Sequence, residues 1–197
     1  MNEAHTFQRI VAFVVDVLLI SLITSLLTFS IPQSEKYKKA AEEESTLLNE
    51  ITSGKAESSE AIDKLYETRY VMEKETIPQT CISIVLTLGY FATFAFYNKG
   101  QTLGKKITHI KVVNNEGNEA SHIQMFYRTA IIHGVIASII NNVLLLFIKS
   151  NQYSYTVGVV NIISSAIIMV SIFFVIFRKD KKGLHDIVCK TKVIETN

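Results

Sequence analysis

Apolar residues run almost unbroken through four stretches of this chain, about 10–31, 79–97, 127–149 and 156–177, with polar residues crowded between them. Each run reaches, or nearly reaches, the ~20 residues needed to cross a bilayer as a helix. The pattern therefore predicts four transmembrane helices. Between the first two runs the period changes. Tyr37, Ala41, Leu48 and Ile51 recur at helical spacing, Ser53-Gly54 interrupts, and Ile62, Leu65, Tyr66, Arg69 and Met72 resume before Pro78. This predicts two amphipathic helices forming a hairpin over 32–78. After the second run, Ile107 to Val113 alternates as a short strand or interfacial segment, closed by the turn signal Asn114-Asn115-Glu116-Gly117.

Charge orients this layout. The N-terminal tail, the 98–128 segment and the tail after Phe177 hold twelve Lys or Arg against six Asp or Glu, whereas 32–78 holds seven basic and eleven acidic residues. Basic clusters next to helix ends belong in the cytoplasm. The expected fold is thus an all-α polytopic membrane protein with both termini cytoplasmic. It has four transmembrane helices, a charged extracytoplasmic helical hairpin and a cytoplasmic interfacial segment. A mean hydropathy of +0.26 alongside 19% charged residues agrees with such segregation. A net charge of +2 is too mild to indicate a nucleic-acid partner. Cys81 lies in an apolar run and Cys189 in a basic tail, which offers neither a disulfide framework nor a metal knuckle. The first run contains Asp16 and ends Ser30-Ile31-Pro32 without a small-x-small site, so it is expected to stay as an anchor.

Candidate chemistry starts with the charges at the first span. Arg9 and Asp16 are seven residues apart, within ~20° on one helix face. With Arg9 at the membrane boundary, Asp16 lies roughly 10 Å inside it. A carboxylate near a helix centre costs about 3 kcal/mol on insertion. The fifteen Ile, Leu, Val or Phe of 10–31 outweigh that cost, but Asp16 needs a partner, for which Arg9, Lys105 and Arg128 are the candidate cations. Polar stripes mark the other spans: Thr80, Ser83, Thr87, Tyr90 and Tyr97; Ala130, His133, Gly134, Ala137 and Asn141; Gly158, Asn161 and Ser165. Lipid offers such groups no partners, so these faces are expected to meet.

Two cytoplasmic stretches stand out. Gly100-Gln101-Thr102-Leu103-Gly104-Lys105-Lys106 has three residues between its glycines and follows a membrane helix, which excludes a phosphate-binding P-loop. Lys105, Lys106 and Lys111 suit anionic lipid head groups. In the tail, Gly183-Leu184-His185-Asp186 carries a His-Asp pair. On an extended segment the two side chains would diverge and chelate nothing. Asp186 is expected to pair with a cation of the Gly100–Lys106 segment or to cap backbone amides.

Taken together, Arg9…Ala12…Asp16, then Gly100-Gln101-Thr102-Leu103-Gly104-Lys105 with Lys111-Val112-Val113 and Arg128, then Gly183-Leu184-His185-Asp186…Thr191…Val193, resemble the RDD family of membrane proteins. That family is named for one Arg and two Asp. The resemblance covers about 7–31 and 79–194 of a membrane domain spanning 7–194, with 32–78 an insertion longer than the minimal family layout. Cys189-Lys190 departs from the small residues more usual there. The resemblance implies either an accessory or regulatory partner of a membrane complex or a small sodium–proton antiporter. In the antiporter reading Asp16 and His133 exchange a proton for a cation. The scarcity of intramembrane carboxylates and of Gly- or Pro-broken helices favours the accessory role.

No catalytic set, metal site or cofactor is expected, because His5, His109, His122, His133 and His185 are scattered and no Ser-His-Asp set is evident. The expected partners are the bilayer and a protein or second copy, with Na+ and H+ in the alternative reading. Leu48, Ile51, Ile62, Leu65 and Met72 are the candidate partner contacts, being hard to bury within one small hairpin.

Overall fold

Long apolar runs become long helices with apolar outer faces. The structure, a computed structural model, describes residues 2–54 and 58–196, so that residues 55–57 of the predicted hairpin lie outside it. Helix α1 spans Thr6–Phe29, α4 spans Ile77–Leu88 and α9 spans Ser150–Phe177. A π-helical segment, Gly89–Phe94, and the short α5, Ala95–Tyr97, continue α4. The molecule is mostly helical, and three helices, Thr6–Phe29, Ile77–Tyr97 and Ser150–Phe177, are long and apolar enough to cross a membrane. Leu18, Leu22 and Leu26 of α1 and Ile162, Met169 and Phe173 of α9 are exposed, as lipid-facing positions must be.

The third apolar run is not a straight helix. It is split into α7, His122–Ile132, and α8, Val135–Phe147, bent by 68°. The bend falls at Gly134, whose φ of +63° lies in the left-handed region that glycine adopts without strain. Polar faces meet around it: Asn141 donates to Asn161 Oδ1 at 3.0 Å. In the fourth stripe Ser164, not Ser165, turns inward, facing Gly134, while Ser165 is exposed.

Helices α2, Glu35–Thr52, and α3, Ser58–Glu75, pack side by side and are pinned by Arg69–Glu44 at 2.7 Å and Lys64–Glu43 at 3.2 Å. The Ser34 hydroxyl caps α2, accepting from the Tyr37 N–H at 3.0 Å. The buried seam is Ala40 and Leu47 against Ala61, Leu65 and Thr68. On α2 the seam runs one residue before the expected stripe, because the pairs Ala40-Ala41 and Leu47-Leu48 leave the face ambiguous in sequence. Leu65 is therefore not a free contact position: it is 9% exposed, whereas Leu48 and Ile62 are each 38% exposed, and Ile51 and Met72 are half-buried. Tyr70 of α3 donates to the carbonyls of Leu145 and Ile148, and Tyr153 donates to Glu73, so α3 is tied to the end of α8 and the start of α9.

The opposite end of the helices carries a small sheet. Strand β1, Ile110–Asn114, pairs antiparallel with β2, Thr191–Glu195, in a register that sets Val112 opposite Val193. Glu3 bridges to Ile194, and the Ala4 N–H donates to the Val193 carbonyl at 3.1 Å. Of the two readings of Ile107–Val113, a short strand is present but starts three residues later, since Ile107 ends a short helix, and its partner is a tail segment that sequence alone left unpaired. Short helices α6, Leu103–Ile107, and α10, Leu184–Val188, flank the ribbon. The apolar core sits here, with Ala4, Ala12, Ala92, Ala95, Ile110, Val112, Met125 and Val193 clustered.

Candidate functional site

Ala12, Asp16 and Ile20 form the buried stripe of α1, and α6 explains it. Gly104 lies so close to α1 that a Cβ there would collide with the Ala12 carbonyl and come within 2.8 Å of the Asp16 carboxyl carbon. Through this contact Asp16 reaches the first turn of α6. Its Oδ1 accepts from the Gly104 N–H at 2.7 Å and from the Tyr90 hydroxyl at 2.6 Å, and its Oδ2 accepts from the Thr102 hydroxyl. The Tyr90 oxygen in turn accepts from the Leu103 N–H at 3.0 Å. Two amides that a helix start leaves unpaired are thereby satisfied from other elements. The partner of Asp16 is accordingly not Arg9, Lys105 or Arg128. Three neutral donors converge on it, which offsets the cost of burying a carboxylate.

Tyr90 can reach because it stands in the π-helical segment, a distortion that re-aims side chains and recurs at functional sites. Gly100 closes the route into α6. Its φ is +86°, and its N–H donates to the Ala95 carbonyl at 2.8 Å. Its own carbonyl accepts from the Val112 N–H at 3.0 Å, while the Gln101 side chain donates to the Ile110 carbonyl at 2.9 Å.

Arg9 turns instead to the second aspartate. Asp186 is fully buried, and its Oδ1 is paired with Arg128 and accepts from the Thr191 hydroxyl at 3.0 Å. Its Oδ2 lies 3.6 Å from Arg9 Nη1 and accepts from the Gly183 N–H at 3.2 Å, which caps α10. Arg9 also donates to the carbonyls of Lys181 at 2.6 Å and Val193 at 3.2 Å, while its buried Nε has no hydrogen-bond partner among the described residues. The expected cation for Asp186, one from Gly100–Lys106, is thus replaced by Arg128 and Arg9; its amide-capping role is present.

The closing motif is a helical turn and not an extended segment, so His185 and Asp186 do meet. His185 Nε2 lies 3.2 Å from Asp186 Oδ2, and Nδ1 lies 2.5 Å from the Ser171 hydroxyl. Burial and the cations Arg128, Arg9 and Lys105 push the His185 pKa well below its ordinary value. The ring is neutral, with Nδ1 accepting from the Ser171 hydroxyl and Nε2 facing the Asp186 carboxylate. Gly183 permits this, since a Cβ there would come within 2.5 Å of the imidazole and 2.9 Å of the Ser171 oxygen. Sequence reasoning missed Ser171, whose one signal is a hydroxyl within an apolar run. It underrated Tyr90, which it placed in a packing stripe.

His133 stands apart from both carboxylate networks in chemistry though not in space. Its ring packs on Phe91, with centroids 3.8 Å apart, and stacks with Phe13 at 5.8 Å. A cavity of about 360 Å³ joins these parts, lined by Arg9, Asp16, Lys105, Arg128, His133 and His185 among aliphatic walls from α1, α7 and α9. Lys105 forms no salt bridge among the described residues. Burial and Arg128 push its pKa down to about 8, against the pull of Asp16, leaving it protonated at pH 7.

The RDD family model matches residues 3–190. "Uncharacterized protein YxaI" of Bacillus subtilis (strain 168) is 30% identical over 131 residues, which cover 65% of this chain and 67% of that protein. No solved structure matches the chain.

Proposed function

The chain belongs to the RDD family, and on that premise we propose that it is a four-span accessory or regulatory protein of a complex in the cell membrane. Four crossings are supported by the ribbon. Residues 2–4, 110–114 and 191–195 meet in it, so they share one side of any membrane the helices cross. The chain between Thr6 and Tyr97 then crosses an even number of times, through α1 and α4–α5. The chain between His122 and Phe177 does likewise, through the bent α7–α8 pair and α9. The excess of basic residues around the ribbon supports a cytoplasmic location for that side. The α2–α3 pair, tied to the far ends of α8 and α9, then lies outside.

The observation that carries the accessory reading is the commitment of both family aspartates. Asp16 accepts from three neutral donors and Asp186 binds two guanidinium groups, so each acts as a joint between segments of the chain. A transport carboxylate must instead release and rebind a proton or cation, and His133, the other member of the antiport pair, is packed against aromatic rings. The site reads as non-catalytic for a similar reason: the Ser171 hydroxyl is buried and spent on His185. The exposed α2–α3 face around Leu48 and Ile62 is the surface for a protein partner or second copy.

The test has two arms. Proteoliposomes carrying a sodium gradient should show no proton movement beyond protein-free controls. Crosslinkers at Leu48 and Ile62 in native membranes should capture one discrete adduct, lost when 34–76 is replaced by a Gly/Ser linker. Sodium-driven proton flux that disappears in a stably folded Asp16→Asn variant would reverse the assignment to the antiporter.

A further inference from the structure

The cavity between α1, α7 and α9 has two unlike ends. At the ribbon end it is bounded by Ile110 and Val193 of the sheet and by Arg9, Lys105 and Arg128. Of the carboxylates, Asp16 lines the cavity, while Asp186 holds Arg9 and Arg128 from outside the lining. The carboxylates are also consumed unequally. Asp186 takes Arg128 and Arg9, Asp16 takes neutral donors, and Lys105 forms no salt bridge among the described residues. A cation with no carboxylate partner, set beside an apolar wall, points to an anionic ligand that also carries an apolar chain.

The other end is oily and open. Ile10 and Phe13 of α1 and Ile172 and Ile176 of α9 line the cavity while remaining 51%, 47%, 55% and 43% exposed. Thr6 bonds to the Val175 carbonyl at 3.4 Å near the ribbon, and the cavity lies beside that tie. Lining positions on α9 run from Ile168 to Ile176, eight residues or ~12 Å of helix. The opening therefore faces the bilayer, and the volume of about 360 Å³ lies within the range of small-ligand pockets.

We propose that this cavity binds one anionic phospholipid of the cytoplasmic leaflet, its phosphate held by Lys105 and one acyl chain lodged between α1 and α9. This rests on the membrane placement given above. The phosphate supplies the counter-charge for Lys105, while the chain covers the exposed aliphatic walls of Ile10, Phe13, Ile172 and Ile176. Anionic lipids are concentrated where the ribbon lies, and basic pockets between helices on that side suit their head groups. Free phosphate would satisfy one end only, and a fatty-acid anion, which carries both a carboxylate and a chain, is separated by the decanoate arm of the test.

Delipidated protein in phosphatidylcholine nanodiscs, titrated with phosphatidylglycerol, decides the matter by native mass spectrometry and thermal unfolding. One phosphatidylglycerol per chain should be retained, and Tm should rise by several degrees. Lys105→Gln should weaken retention at least tenfold, Lys105→Arg should restore it, and Ile172→Trp should abolish it by filling the tail end with no change of charge. Ile172 is exposed, so that variant is expected to fold even where a change at Lys105 does not. Equal retention of phosphatidylcholine and phosphatidylglycerol, or retention unaffected by both Lys105→Gln and Ile172→Trp, would mean annular lipid only and overturn the proposal. The same Tm shift from inorganic phosphate or decanoate alone would overturn it too. Neither sodium–proton exchange nor partner capture enters these readouts, so this proposal and the accessory role fail separately.

Discussion

The Tyr90 hydroxyl donates to Asp16 Oδ1 at 2.6 Å from within a π-helical segment, and its oxygen accepts the Leu103 N–H at 3.0 Å. One phenol thus links the second span, the first span and the start of α6. Tyr90→Phe deprives Asp16 of a donor and Leu103 of an acceptor while preserving the ring stacked on Phe94. A hydrogen bond to a charged group contributes about 1.5–3 kcal/mol. Thermal unfolding in detergent should show a loss of that size, and Asp16→Asn, which keeps one carbonyl acceptor, should cost less than Asp16→Ala. An unchanged Tm in Tyr90→Phe would show that the Asp16 site does not anchor α6.

Gly104 tests the same joint sterically. A methyl group there meets the Ala12 carbonyl, a backbone atom with little room to move. Gly104→Ala should therefore destabilise by at least about 1–3 kcal/mol and raise hydrogen exchange across α6. Gly158→Ala, where an added Cβ meets no atom within 4 Å, serves as the control and should be neutral or slightly stabilising.

The second aspartate is a charge junction, and a double-mutant cycle should expose it. Asp186→Asn leaves Arg128 and Arg9 without their shared carboxylate, and such a break is worth about 3–5 kcal/mol. Arg128→Met alone should cost a comparable amount. Combining the two should cost less than the sum, because Arg128 is then no longer stranded and only Arg9 is left without the carboxylate. Additive losses, read from Tm or denaturant midpoints, would argue against a coupled pair.

Topology has its own measurement. Single cysteines at Ser53 and Gln152, introduced after replacing Cys81 and Cys189, should react with an impermeant thiol reagent in intact cells. Cysteines at Asn115 and Thr196 should stay protected until lysis. Labelling at Asn115 from outside would overturn the four-span arrangement.

What the sequence determined by itself was set by solvent. Four apolar runs, the basic excess around 98–128 and the tails, and the break at Ser53-Gly54 follow from how each residue partitions between water and lipid, which needs no knowledge of neighbours. Three separated blocks of residues likewise sufficed to indicate the RDD family before any contact was visible. Contacts were a different matter. Arg9 and Asp16 share a helix face, yet that periodicity could not reveal that Arg9 turns to Asp186, far along the chain, while Asp16 takes Tyr90, Thr102 and the Gly104 amide. Lys105 and Arg128 were equally plausible partners by charge alone. The choice came from backbone proximity: Gly104 lets α6 approach the Ala12 carbonyl, and β2 draws the tail against β1, which carries Asp186 to Arg128. The bend at Gly134, the π turn that aims Tyr90 and the seam at Ala40 and Leu47 were likewise decided by packing. Local propensity differs too little between neighbouring residues to choose among such alternatives, whereas a buried charge without donors costs several kcal/mol and selects one arrangement.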